Sequence, residues 1–407
     1  MNRWPFYDEE QIEDVIAVLR SGRVNAWTGT RTGEFERAYA ERLGRRHAIA
    51  LANGTIALDV ALGAIGLQHG DEVIVTPRSF VASASCVPMA GGVPVFADVD
   101  PDSQAITATS IANVLTPRTR AVIVVHLGGW PADMPAIMTL ARERGFLVIE
   151  DCAQAHGAEI EGRPVGSFGD IAAFSFCQDK IITTGGEGGL LALDDEEMWA
   201  RAWSLKDHGK NYEAVHEQGH PPGFRWVHDS FGTNGRMSEI QAVLGLRQLD
   251  RLAQWNAERT ANAAILIEAA RSLPALYTPQ PPPHLRHAWY RFYTFVRPER
   301  LRAGWSRDRI LQEIVARSVQ CFSGTCPEIY RERAFAERGF VPPRRLPVAA
   351  SLGETSLAFL VDPCQDAAAM RRAVQVLSDV IGEASIDEDF EKAARTGEGR
   401  SPAEATV

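Results

Sequence analysis

The 407-residue chain is short of most features that would place it outside the ordinary soluble globular proteins. No run of eighteen apolar residues exists to cross a bilayer, which excludes a membrane-spanning helix. The opening MNRWPFYDEE lacks the basic then apolar order of a secretory signal, so a cytoplasmic location is expected. Forty-two basic against fifty-two acidic side chains leave a net charge of -10, the wrong sign for a general nucleic-acid surface. The six cysteines, Cys86, Cys152, Cys177, Cys321, Cys326 and Cys364, include no CxxC and no zinc-type Cys/His spacing; free thiols and no metal are expected. There is no GxxxxGK[ST] phosphate loop, and no internal repeat.

What is present is a series of short apolar runs: HAIAL (47–51), EVIVT (72–76), PVFADV (94–99), AVIVVH (121–126), FLVIED (146–151), IAAFSF (171–176) and GLLAL (189–193). Helix-like stretches separate several of them, including IALDVALGAIG and PADMPAIMTLARERG, the latter ended by Gly145. Strands alternating with helices predict an α/β fold with a largely parallel sheet covered on both faces. From Arg236 the spacing of Met237, Ile240, Val243 and Leu244 predicts a long helix linking two parts. The proline-rich stretch 277–285 marks a boundary, and HAWYRFYTFV reads as a strand of a smaller α+β domain. The expected division is a large domain over 1–255, a small domain over 256–385 and a disordered polar tail over 386–407.

Ligands of such sheets bind beyond the carboxyl ends of the strands. That rule singles out Asn53-Gly54-Thr55, Ser79-Phe80, His126, Asp151 and the stretch from Cys177 to Lys180. A lysine, an aspartate, a phosphate-sized turn and an aromatic ring are the parts of a pyridoxal 5′-phosphate site. Lys180 would condense with the aldehyde, and Asp151 would keep the ring nitrogen protonated. Gly54 and Thr55, at a helix start, would bind the phosphate with help from the Ser175 hydroxyl. Phe80 would cover the ring, and the glycines of TTGGEGG would let backbone approach closely. Each residue also has a plainer reading: an N-cap, an ion-pair partner, a solvated cation, a core aromatic. Their joint position at strand ends of one array favours the site.

The segments LANGTIALDVAL, GDEVIV, GGVPVFADVD, VIEDCAQAHGA, GSFGDIAAFSFCQDKIITTGGEGG, LKDHG and GRMSEIQAVLGLRQL resemble, in order, those of the DegT/DnrJ/EryC1/StrS family of nucleotide-sugar aminotransferases. The resemblance covers roughly residues 10–380 and implies fold type I of the pyridoxal-phosphate enzymes: a large domain with a mainly parallel seven-stranded sheet, a smaller C-terminal α+β domain, and a homodimer with shared active sites. It implies that Lys180 bonds the cofactor, Asp151 meets the ring nitrogen, Gln154 contacts the ring hydroxyl, and Gly54, Thr55 and Ser175 bind the phosphate under a stacked Phe80. It further implies that Asn234 reaches the partner subunit's phosphate and that His156 borders the substrate. Thr233 and Gly235 replace the tyrosines of the GYNYRM segment common in the family, and Tyr290 stands where some relatives have a histidine near the sugar. The implied reaction moves an amino group from an amino acid, usually L-glutamate, to a nucleotide-linked 4-keto-6-deoxyhexose or 3-keto isomer, with a UDP-linked N-acetylated sugar expected. The expected setting is cell-envelope polysaccharide, including lipopolysaccharide. The rival readings are a sugar dehydratase, in which histidine replaces the lysine, and a non-catalytic regulator on the same scaffold.

Overall fold

A computed structural model of the chain describes residues 4–219 and 223–386. The expected tail beyond 386 lies outside the described residues.

Seven strands form the central sheet: β1 (His47–Leu51), β2 (Glu72–Val75), β3 (Val93–Phe96), β4 (Thr119–Val125), β5 (Leu147–Asp151), β6 (Ile171–Ser175) and β7 (Gly189–Leu193). Their spatial order is β1-β7-β6-β5-β4-β2-β3. β7 runs antiparallel to both its neighbours, and the other pairings are parallel. The seven apolar runs therefore each hold a strand, with ends shifted by up to three residues. They read as continuous apolar segments because both sheet faces are buried. On β1, Ala48 and Ala50 enter one core while Ile49 and Leu51 enter the other. The same alternation runs through β4, where Val122 and Val124 face one side and Ala121 and Ile123 the other.

The helix after β1, Gly54–Ala64, starts where the Asn53 side chain accepts the N–H of Ile56. The helix before β5, Met134–Arg144, is capped by Asp133 and ends at Gly145 in the left-handed region. Two N-terminal helices, Glu9–Ser21 and Arg31–Leu43, pack beside the long helix Glu239–Arg271.

That long helix serves both parts of the molecule. Ala242, Leu249, Leu252 and Trp255 belong to a core of the central sheet, whereas Ala263, Leu266 and Ala270 belong to the core of a four-stranded antiparallel sheet. The cores change between Trp255 and Ala263, inside one continuous helix. The second sheet is ordered Leu276–Tyr277, Phe292–Val296, Ser356–Phe359, Cys321–Phe322, and Ala367–Ala384 packs against its core. The proline-rich run does more than separate the two parts. Leu285 at its end pairs with Ile160, so the chain returns to the large part before Phe292–Val296 begins.

Candidate active site

Strand register brings the carboxyl ends of β1, β2, β5 and β6 to one side. Asp151 closes β5 between Val125 of β4 and Ala173 of β6. A cavity of about 880 Å³ opens there, lined by Gly54, Thr55, Phe80, Asp151, Gln154, Ser175, Lys180 and Tyr290 among others. Eight of the ten residues given cofactor or substrate roles from the sequence thus meet at one site; Asn234 and His156 do not line it.

The phosphate turn fits tightly. A Cβ on Gly54 would stand 2.6 Å from the Ser175 Cβ, so only glycine lets the helix start close on β6. From the other side, β7 approaches so that a Cβ on Gly189 would lie 2.2 Å from the Asn53 carbonyl oxygen. The first N–H groups of a helix have no intrahelical acceptor. Asn53 takes that of Ile56, and those of Gly54 and Thr55 have no acceptor among the described residues. With the Ser175 hydroxyl beside them they form an anion cradle at a helix N-terminus.

Asp151 is 5% exposed. Its carboxylate accepts the Ser83 hydroxyl at 2.7 Å and the Ala153 N–H at 3.1 Å. Burial lifts its pKa above the usual carboxylate range, and these two bonds with the Lys180 charge offset the lift only in part. A buried carboxylate in that condition suits a cationic partner such as a protonated ring nitrogen. Ser83 carries no strand-end signal of its own; Ser79 bonds it at 2.9 Å, so a short hydroxyl chain supports Asp151.

Lys180 lies in a closed turn five residues past β6, where its N–H donates to the Cys177 carbonyl and Gln178 donates to Gly186. Behind it the Trp4 indole N–H donates to the Lys180 carbonyl at 2.8 Å. Its Nζ lies 3.5 Å from both the Tyr290 hydroxyl and Asp179 Oδ1. Burial pulls the lysine downward, but Tyr290 and Asp179 outweigh that and hold it above its ordinary value. The Tyr290 hydroxyl donates to Asp179 Oδ2, and Arg291 stands 3.6 Å from the same oxygen. Asp179 falls in the stretch from Cys177 to Lys180 but has no role assigned from the sequence; Arg291, Trp4 and Ser83 lie outside the stretches that the strand-end rule picks out.

Gln154 Oε1 accepts the Gly128 N–H, which fixes its amide at the cavity wall. Phe80 is 63% exposed over the cavity mouth, an open face for stacking. Asn234 is exposed and outside its own chain's cavity, on a segment that bridges to Asp207. His156 departs from expectation: it is fully buried, bonded to the Tyr39 hydroxyl at 2.6 Å and to the Ser175 carbonyl at 2.8 Å. Packed against Phe174 and Phe176 beneath β6, it is a core strut rather than a substrate contact. Burial lowers its pKa to about 3, so it is neutral.

Among the described residues one cluster has ligand-like spacing, His126, Glu150 and Cys152, all buried. Its histidine nitrogens and carboxylate oxygens are engaged within the chain. Glu150 accepts N–H groups from Gly166, Phe168 and Gly169 and bonds His126 Nε2, while His126 Nδ1 accepts from Ala132. All six cysteines are free.

The profile of the DegT/DnrJ/EryC1/StrS aminotransferase family matches residues 5–377. The chain belongs to that family. Its class of activity is that of a pyridoxal-phosphate-dependent sugar aminotransferase, and the cradle, Asp151 and Lys180 fit that cofactor. The X-ray structure of the aminotransferase from Psychrobacter cryohalolentis is 49% identical, with a TM-score of 0.92 over 94% of this chain and 99% of that one. A putative L-glutamine:3-amino-2,3-dideoxy-scyllo-inosose aminotransferase of Streptoalloteichus tenebrarius is 35% identical over 81% of this chain and 78% of its own. The UDP-N-acetyl-3-dehydro-alpha-D-glucosamine 3-aminotransferase of Acidithiobacillus ferrooxidans is 41% identical over 61% of this chain and 64% of its own. Among the described residues no helix is long and apolar enough to cross a membrane.

Proposed function

We propose that the protein transfers an amino group from L-glutamate to the ketone of a nucleotide-linked keto-deoxyhexose, UDP-linked and N-acetylated, in cell-envelope polysaccharide biosynthesis. The observation that carries the reading is the convergence of Lys180, Asp151 and the Gly54–Thr55 helix start on one cavity of about 880 Å³. The Acidithiobacillus relative, named for a UDP-N-acetyl 3-keto sugar, supports the nucleotide and the N-acetyl group and favours a C3 ketone over a C4 ketone. The Streptoalloteichus relative, named for L-glutamine, makes glutamine the donor to test beside glutamate.

When bound, pyridoxal phosphate supplies the carbonyl carbon that carries the amino group and a ring that accepts the electron pair of a broken C–H bond. Gly54, Thr55 and Ser175 would hold its phosphate, Phe80 would cover its free face, and Gln154 would meet its ring hydroxyl. Asp151 would keep the ring nitrogen protonated. Lys180 would hold the cofactor at rest and, displaced by the donor's amine, move the proton from the donor's α-carbon as base and then acid. Retention of a lysine at 180 favours transfer over the dehydration assigned to histidine-bearing relatives.

A homodimer with shared sites is part of this reading. Phe224, Trp226 and Phe231 are 77%, 89% and 98% exposed on the same segment as Asn234, a patch suited to a second copy. Asn234 would then complete the partner's phosphate site.

The test is the absorption spectrum of the holoenzyme during titration with L-glutamate and L-glutamine. The band of the lysine-bound cofactor should give way to that of the aminated cofactor, and Lys180→Ala should abolish turnover. A holoenzyme that responds to neither donor, or a Lys180→Ala variant that still turns over, would overturn the reading.

A further inference from the structure

Tyr290 connects two groups that nothing in the reaction scheme so far joins. Its ring is buried, and its hydroxyl lies between Asp179 and Lys180. The polarity of this arrangement is fixed by chemistry. A carboxylate only accepts, so the Tyr290 O–H must point at Asp179, and its oxygen is left to accept from Lys180 Nζ. Arg291 stacks on the other side of the pair, 4.3 Å from the Tyr290 ring centroid and 3.6 Å from Asp179 Oδ2. Burial alone would raise the Asp179 acid, but Lys180, the Tyr290 hydroxyl and Arg291 together hold it below the usual range, so it stays ionised.

We infer that Asp179, directly from Oδ1 at 3.5 Å and through the Tyr290 hydroxyl it holds, positions the Lys180 amine whenever that amine is not bonded to the cofactor. The inference rests on the transaminase reading and deepens it. Transamination requires Lys180 to leave the cofactor while the donor occupies it, and a freed lysine on a flexible four-carbon stem has many rotamers. An acceptor oxygen 3.5 Å from Nζ, itself oriented by an anchored carboxylate, gives the amine one resting place beside the reacting carbons. Tyr290 and Asp179 are therefore positioning residues, and Asp179 has no need to touch substrate.

The charged and titratable groups around the amine come from several elements. Asp179 and Cys177 share its turn, Asp151 lies at the end of β5, and Tyr290 and Arg291 precede Phe292–Val296. Arg259 of the long helix acts on Tyr290 from behind. Of these, Asp179 and Tyr290 are the pair whose loss changes the polarity at Nζ without removing a group assigned to the cofactor.

The experiment uses the pyridoxal-phosphate holoenzyme of wild type, Asp179→Asn, Tyr290→Phe and the double variant. First, with no substrate present, the visible band of the lysine-bound cofactor is titrated with pH. Loss of the Asp179 charge removes an anion that favours a protonated nitrogen, so the midpoint should move to lower pH by about one unit. Second, the donor half-reaction is followed at saturation. Tyr290→Phe should slow it on the order of tenfold or more, with KM for the donor unchanged within about twofold. The double variant should lose clearly less than the product of the two single losses, because Asp179 and Tyr290 are bonded to each other and meet the same amine.

An unshifted midpoint together with a raised KM at unchanged kcat would make both residues substrate contacts and overturn the inference. Additive losses in the double variant would also overturn it. Tyr290→Phe keeps the volume of the buried ring, so it decides the matter alone if Asp179→Asn does not fold. A wild-type holoenzyme whose band titrates with pH but ignores every donor refutes the transaminase reading instead, and the substrate-free titration still judges the positioning pair.

Discussion

Gly189→Ala isolates the contact on which the phosphate cradle depends. A Cβ at this position would lie 2.2 Å from the Asn53 carbonyl oxygen, 2.4 Å from its carbonyl carbon and 3.0 Å from the Gly54 nitrogen. Favourable non-bonded separations are about 3.5 Å or more, so the two backbones must part by about 1 Å. All three neighbours are backbone atoms and cannot rotate away as a side chain could. β7 is hydrogen-bonded on both sides, to β1 and β6, so the part that yields is the turn carrying Gly54 and Thr55. Overpacking of this kind costs about 1–3 kcal/mol of stability. A misplacement of about 1 Å at a positioning group can cost on the order of 10²-fold in function. The assay pairs a thermal melt of the apoprotein with a titration of its affinity for pyridoxal phosphate. Gly382→Ala is the matched control: in Ala367–Ala384, with nothing within 4 Å of a new Cβ, it should stabilise by up to about 1 kcal/mol and leave affinity alone. A Gly189→Ala protein that melts early yet binds the cofactor with wild-type affinity would refute the reasoning, because the turn would then have moved without consequence for the phosphate.

Two further outcomes follow from buried polar groups. His156 and His287 are both held neutral by burial, with pKa values of about 3 against 6.5 in an exposed histidine. The unfolded chain therefore binds their protons first as pH falls, and stability is intact above pH 6.5 and lost progressively from there toward pH 3. At pH 5 the loss is about 2 kcal/mol for each, measurable as a falling denaturation midpoint that His156→Asn should flatten; an unchanged midpoint between pH 7 and pH 5 would contradict it. Glu150→Gln places an amide where a buried carboxylate accepts three backbone N–H groups and His126; it should destabilise by about 3–5 kcal/mol, read from urea melts, with under 1 kcal/mol as the contrary result.

The comparison of sequence with structure shows which physics is local. The seven strands were legible because a sheet buried on both faces needs continuous apolar runs, and such runs need no knowledge of their neighbours. Lys180 and Asp151 were legible because a strand's end is a sequence position, and the carboxyl ends of parallel strands lie on one side. The N-terminal helices carried signals just as local, a capping box of Asp8 with Gln11 and a left-handed Gly22, though the apolar pattern there is weak and they were not read. The two-residue strands Leu276–Tyr277 and Cys321–Phe322 are too short for any periodicity to declare. The extent of the linking helix was visible, but not the point where its packing partners change, because Trp255 and Ala263 differ only in what lies opposite them.

The sequence by itself determined the fold class, through apolar runs alternating with helical stretches, and the family, through the resemblance of its segments; it also placed a lysine, an aspartate and a helix-start turn at or just past strand ends. Only the tertiary structure decided the direction of each side chain. His156, two positions past Gln154, turns beneath β6 because Tyr39 of a distant helix receives it. Ser83 reaches Asp151 from a helix, and Tyr290 reaches Lys180 from 110 residues away. Such partners are joined by packing between elements, and sequence separation carries no record of that distance.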